Sequence, residues 1–103
     1  MRTNKAPRDG LPATHPGEIL GDELETLAVS ANALARDLDV PVNRVTEIVN
    51  GKRAVTADTA LRLARYFGTA PQFWLNLQTA YDLAIATEKS GAAIAKRVRS
   101  RAA

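Results

Sequence analysis

No part of this chain leaves folding fewer options than the stretch from Ala31 to Arg53, ANALARDLDVPVNRVTEIVNGKR. Two short helical patterns meet there at a turn of only three or four residues around Asp39, Val40 and Pro41, the spacing of a helix-turn-helix unit. Pro41 disfavours the α conformation in the residue before it, so the first of the two helices must end by Val40. The second starts at Pro41 or Val42 and stops at Asn50-Gly51, where glycine can take the left-handed cap. Ala35 is small, which lets the second helix cross close over the first. Val45 and Ile48, three apart, anchor it from one face, and Leu34 and Leu38 close the same small core. With those positions inward, Asn43, Arg44, Thr46, Glu47 and Asn50 point outward. They form a polar face on a helix short enough to enter the major groove of DNA.

The remaining apolar spacing is helical as well. No stretch alternates apolar and polar residues long enough to make a strand. A first helix is expected from Pro16 to Leu27, opened by Pro16 and Glu18, with Ile19, Leu20, Leu24 and Leu27 on its apolar side. Ser30 caps the second helix, which buries Ala31, Leu34, Ala35 and Leu38. The third buries Val42, Val45, Ile48 and Val49. Thr56 caps a fourth, in which Ala60, Leu61, Ala64 and Phe67 face inward and Gly68 ends it. A fifth opens at Thr69-Ala70-Pro71 and is apolar on more than one side, through Phe73, Trp74, Leu75, Leu77, Tyr81, Leu83, Ala84 and Ile85. In so small a domain one such face packs on the core and the rest needs a partner. After Thr87 the pattern loosens and Gly91 interrupts it. Ala92–Arg101 is either a frayed basic helix or a disordered tail.

The chain's 103 residues are enough for one domain with short tails. The organisation expected is a flexible arm over 1–15, a helical domain over 16–87 with a dimerisation helix at about 71–87, and a basic tail over 88–103. The net charge of +3 hides a split. Residues 1–9 sum to +2 and residues 89–103 to +5, while residues 10–88 sum to −4. Basic ends suit a polyanion such as nucleic acid, or they only keep the chain soluble. The polar side of the first helix carries Glu18, Asp22, Glu23 and Glu25 and no base, a face that is either solvated or meets a basic partner.

Several classes of function drop out. There is no cysteine, hence no disulfide, thiolate nucleophile or cysteine metal site. One histidine, His15, cannot build a multi-histidine zinc site and has no nucleophile beside it, so it reads as a residue that opens a helix. The acidic pairs of the first helix have no pocket around them to act as a catalytic dyad. No catalytic residue, metal or cofactor is expected. No apolar run approaches the ~18 residues of a membrane span, and no secretory signal is visible, so a cytoplasmic location is expected.

Counted over the twenty residues from Ala31 to Asn50, the small residue at the fifth place and branched residues at the fifteenth and eighteenth resemble the helix-turn-helix of the phage-repressor (Xre) superfamily. The ninth place, usually glycine there, is Asp39, which tolerates a left-handed turn better than most residues. The flanking blocks narrow the resemblance. His15-Pro16-Gly17-Glu18-Ile19-Leu20, Asn50-Gly51-Lys52-Arg53, Asp58-Thr59-Ala60-Leu61-Arg62-Leu63, Phe73-Trp74-Leu75-Asn76-Leu77-Gln78 and Tyr81-Asp82-Leu83 look like HigA-type antitoxins, across roughly residues 14–86. The resemblance implies an all-α, five-helix, phage repressor-like domain. It also implies a protein that binds the operator of its own operon as a homodimer and inhibits a HigB toxin, a RelE-like nuclease that cuts mRNA. The alternatives are a stand-alone repressor without a toxin and a protein-binding adaptor that does not touch DNA.

Roles follow from side-chain chemistry. Asn43, Arg44, Thr46 and Glu47 are the candidates for base contact: arginine can grip guanine at two points, asparagine adenine, and a threonine methyl meets thymine. Glu47 has two other readings, pairing with a neighbouring arginine or repelling phosphate. Asn32, Asn50, Lys52 and Arg53 are the candidates for phosphate, Asn32 because free amides at a helix N-terminus attract anions. Trp74, Leu77 and Tyr81, with Leu83, Ala84 and Ile85, are candidates for a dimer or partner interface. Core packing competes for that first trio, Trp74 above all. The acids of the first helix could steer a basic toxin.

Overall fold

The computed structural model describes residues 14–102, and the arm expected over the first fifteen positions falls almost wholly outside them. Five helices follow one another: α1 (Pro16–Leu27), α2 (Ala31–Leu38), α3 (Val42–Val49), α4 (Ala57–Phe67) and α5 (Pro71–Arg97). There is no strand among the described residues. No helix of theirs is long and apolar enough to cross a membrane.

Local chemistry sets most of the ends. His15 caps α1, its Nδ1 accepting the Gly17 amide at 2.8 Å, so the histidine opens a helix as its sequence setting suggests. The Ser30 hydroxyl accepts from the Ala33 amide at 3.1 Å and starts α2. Asp39 ends α2 in the left-handed conformation, φ 59° and ψ 50°. The Asp39 and Val40 amides then return to the carbonyls of Arg36 and Ala35. An aspartate thus does the work of the usual turn glycine. Thr56 caps α4, and Gly68 closes it at φ 75°.

Leu20, Leu24, Leu34, Ala35, Leu38, Val45, Ile48, Val55, Ala60, Leu63 and Trp74 form one buried cluster. Within it α3 packs on α2 and α1, and α4 packs on α2 and α5. α1 and α3 approach each other closely: Gly17 lies directly over the carbonyl of Ile48, where a Cβ would sit 1.7 Å from that oxygen. The pair Ala35 and Gly17 therefore lets α3 be gripped from both sides.

Three helix faces depart from the simple stripes. Leu27 is exposed, because the chain turns at Ala28 and Val29 packs on the core in its place. Val42 is exposed at the first turn of α3, while Val49 is half-buried. Leu61 is 60% exposed and Leu63 fully buried. The inward stripe of α4 is centred on Ala60, Leu63 and Phe67, and Leu61 stands about 100° of helical rotation off Ala60.

The largest difference lies in α5. It runs without a break to Arg97, ten residues past the boundary at 87, and Gly91 does not interrupt it. Alanines at 84, 86, 92, 93 and 95 favour the helix, and Lys96 and Arg97 sit at its negative end. Its last firmly seated residues are Trp74, Gln78 and the half-buried Tyr81, whose ring meets His15 edge-on at 4.9 Å. From Asp82 onward the helix overhangs the core by about 24 Å, at 1.5 Å per residue. Leu83, Thr87, Gly91 and Ile94 line one side of this overhang, and Leu83 and Ile94 are exposed there.

Candidate nucleic-acid interface

On α3, Val45 and Ile48 point into the core and are 2% and 1% exposed. Helical geometry then puts Asn43, Glu47 and Asn50 on the outermost edge, at i, i+4 and i+7. Asn43 and Asn50 are exposed, and Glu47 is half-buried. Arg44 flanks this edge on the α4 side and Thr46 on the α1 side. Thr46 lines a shallow cleft with Gly21, Leu24 and Val29, and its hydroxyl donates back to the Asn43 carbonyl at 3.3 Å. The side chain is half-buried, and the exposed Asn50 lines the same cleft.

The two charged residues of α3 are not free. Arg53 Nε donates to Glu47 Oε1 at 2.8 Å, so Glu47 holds a basic side chain over the outer edge. Arg44 Nη1 donates to Asp58 Oδ2 at 2.7 Å. The same oxygen accepts from Arg62 Nε at 2.9 Å. Arg62 Nη1 in turn donates to the carbonyls of Leu38 and Asp39 at 2.8 and 3.2 Å, at the end of α2. One chain of charge-assisted bonds thus links the tip of α2, α4 and α3. The Arg62 and Arg44 guanidiniums hold the Asp58 carboxyl below its ordinary value of 3.8. Arg44, Arg53, Ala54, Thr56, Asp58, Thr59 and Arg62 line a concavity of about 350 Å³ beside α3.

Of the other candidates, Asn32 is exposed in the first turn of α2, and Lys52 and Arg53 are exposed just past α3. The Lys52 amide bonds to the Glu47 carbonyl at 2.8 Å, and the Gly51 amide to Ile48 at 3.0 Å, so this exit is ordered. The loop is tied down from below. Gln78 of α5, 7% exposed, accepts the Val55 amide at 2.7 Å and donates to Asp82 at 2.9 Å.

The expected partner-facing set on α5 divides. Trp74 is 2% exposed, edge-on to Phe73 and tilted against Phe67, with its Nε1 donating to Thr69 Oγ1 at 3.1 Å. It belongs to the core and has no surface to offer a partner. Leu77 is half-buried against the same core, and Tyr81 is half-buried with its ring on His15. Leu83 and Ala84 are exposed and Ile85 half-buried, on the overhang.

Asp58, Arg62 and Gln78 are contributors that sequence reasoning did not single out. An i, i+4 Asp-Arg pair was visible, but nothing in the sequence says that it reaches across to Arg44 and α2.

The helix-turn-helix family HTH_3 matches residues 23–74, half of the chain. The chain is 55% identical to virulence-associated protein I of Dichelobacter nodosus over 84 residues, 81% of this chain and 78% of that one. Its structure is similar to that of an addiction module antidote protein of the HigA family from Coxiella burnetii, with a TM-score of 0.86 and 58% identity, over 87% of this chain and 99% of the other. It is also similar to the antitoxin HigA of Pseudomonas aeruginosa, solved with the higBA promoter, with a TM-score of 0.84 and 46% identity over 86% and 98% of the two chains. With the family match across the α2–turn–α3 unit and identities of 58% and 46% to HigA structures over most of its length, the chain belongs to the Xre-type helix-turn-helix family, in its HigA antitoxin branch.

Proposed function

We propose that this protein is the antitoxin of a type II toxin–antitoxin pair, that it represses its own operon by binding the operator as a homodimer, and that it inhibits a HigB-like, RelE-type mRNA-cleaving toxin. The observation that carries the reading is the outward hydrophilic edge of α3, Asn43–Glu47–Asn50 with Arg44 and Arg53 beside it, in a chain that resembles an antitoxin solved with its promoter. Asn43 and Arg44 are the base readers, with Thr46 reaching bases from the α1 side. Glu47 acts through Arg53. Asn32, Asn50, Lys52 and Arg53 take phosphates. Leu83, Ala84 and Ile85, continued by Ile94, supply the two-fold seam on the α5 overhang. A dimer would set two α3 helices one DNA turn apart, about 34 Å, and so read an inverted repeat. Glu18, Asp22, Glu23 and Glu25, all exposed on α1, attract the basic toxin.

The test is binding of the purified chain to the DNA upstream of its own gene, against a scrambled duplex, over a salt series. Wild type binds its upstream DNA preferentially, with affinity falling steeply as salt rises. Arg44→Ala costs about 1–3 kcal/mol and relaxes base preference, whereas Lys52→Ala weakens both duplexes alike. Equal, uniform losses in the two variants would refute this division of roles. Co-expression with the adjacent gene tests the toxin: a stable complex is expected, and a charge-reversed α1 face weakens it in a salt-dependent way. Absence of any such complex, with DNA binding intact, would leave a repressor without a toxin.

A further inference from the structure

We propose that Asp58, which lies on α4 and outside the reading helix, is a specificity-determining positioning residue of the DNA interface. The proposal rests on the reading of Arg44 as a base contact and adds what makes that contact selective. Arg44 alone would be a poor discriminator, because a long, flexible cation pairs as readily with any phosphate as with a guanine edge. In this fold its Nη1 is held at 2.7 Å by Asp58. Asp58 cannot follow Arg44 away, because Arg62 grips the same oxygen at 2.9 Å and is itself fixed to the Leu38 and Asp39 carbonyls. The guanidinium therefore starts from an orientation set by α2 and α4, with its remaining N–H donors free to meet two acceptors in one plane. The carboxylate also makes a phosphate a bad substitute. A phosphate drawn to Arg44 would come close to the negative charge of Asp58, whereas the O6 and N7 acceptors of guanine carry no net charge. The same ion pair thus organises the specific contact and penalises the non-specific one.

The experiment is fluorescence anisotropy of the full chain on its own upstream duplex and on a scrambled duplex, for wild type, Asp58→Asn, Arg44→Ala and the double variant. Asp58→Asn is expected to tighten the scrambled duplex and to lower the operator-to-scrambled affinity ratio about fivefold or more, the low end of one bidentate base contact. In the Arg44→Ala background the same substitution leaves the ratio where Arg44→Ala alone put it. Asp58→Glu, which keeps the charge, restores most of the ratio. Arg62→Gln, which keeps the carboxylate but removes its anchor, lowers the ratio in the same direction and serves if Asp58→Asn does not fold. A change of both affinities by one common factor, or an equal effect with and without Arg44, overturns the proposal and leaves Asp58 a plain surface charge. A wild type that does not discriminate between the duplexes, or an Arg44→Ala variant with the wild-type ratio, removes the underlying reading itself.

Discussion

Replacing Gly17 with alanine tests the packing that presents α3. The added methyl carbon would lie 1.7 Å from the Ile48 carbonyl oxygen and 2.7 Å from its carbon. Real contacts of this kind do not fall below 3.0 Å, so the two backbones must part by at least the difference, about 1.3 Å. The obstacle is helix backbone, which cannot swing aside as a flexible side chain can. Parting α1 from α3 by that much also loosens Leu20 from Val45 and Ile48, and a gap of 0.5–1 Å already forfeits a quarter to a half of a dispersion contact. The expected cost is the top of the overpacking range, ~3 kcal/mol. For a chain of this size that lowers Tm by about 12–24 °C. Thermal and urea unfolding followed by circular dichroism would measure it. Gly21→Ala, one turn on, is the control: its methyl group would meet only Val49 Cγ1, at an ordinary 3.4 Å. Removing a mid-helix glycine there is worth up to about 1 kcal/mol of stability. The reasoning fails if Gly17→Ala falls within ~0.5 kcal/mol of wild type, or if both variants move in the same direction.

Trp74→Ala should cost about 3–5 kcal/mol of unfolding free energy, as deletion of a buried aromatic does, and calorimetry would detect it at protein concentrations too low for any dimer. Leu83→Asp, by contrast, should leave the fold intact and shift sedimentation equilibrium toward monomer; an unchanged dimer would place the seam elsewhere. For Asp58 the bound arginines lower the folded-state value, so its contribution to stability is present above the ordinary value of 3.8 and is lost as pH falls through the lowered one. Acid titrations of wild type and Asp58→Asn should therefore differ above pH 3.8, draw together as pH falls below it and meet only below the lowered value.

Much of the fold was legible because helix ends are local chemistry. Pro16, Ser30, Thr56, Gly68 and Pro71 each set a boundary through a cap, a fixed φ or a left-handed turn, and each boundary lies where its residue type puts it. Asp39 could be read in advance as a turn residue for the same reason. The apolar stripes of α2 and of the middle of α3 were equally clear, since 3.6-residue periodicity needs no knowledge of neighbours. Local pattern stops being decisive where neighbours choose which residue is buried. Leu27 and Leu61 are apolar and well spaced, yet exposed, because Val29 and Leu63 reach the core first. Trp74 fits a partner-facing stripe as well as a core stripe until α4 is laid against it.

By itself, then, the order of residues established five helices, the tight turn at Asp39 and which side of α3 stays polar. It did so because caps, turns and helical period act within a few positions along the chain. Tertiary contact alone decided that Arg44 is handed to Asp58, that Arg53 is the arginine Glu47 carries and that Gln78 fastens the loop at Val55. Those arrangements join residues 6, 14 and 23 positions apart and draw on the packing angles of whole helices. No local rule encodes such angles, because they arise only when the apolar faces of several helices are buried against one another at once.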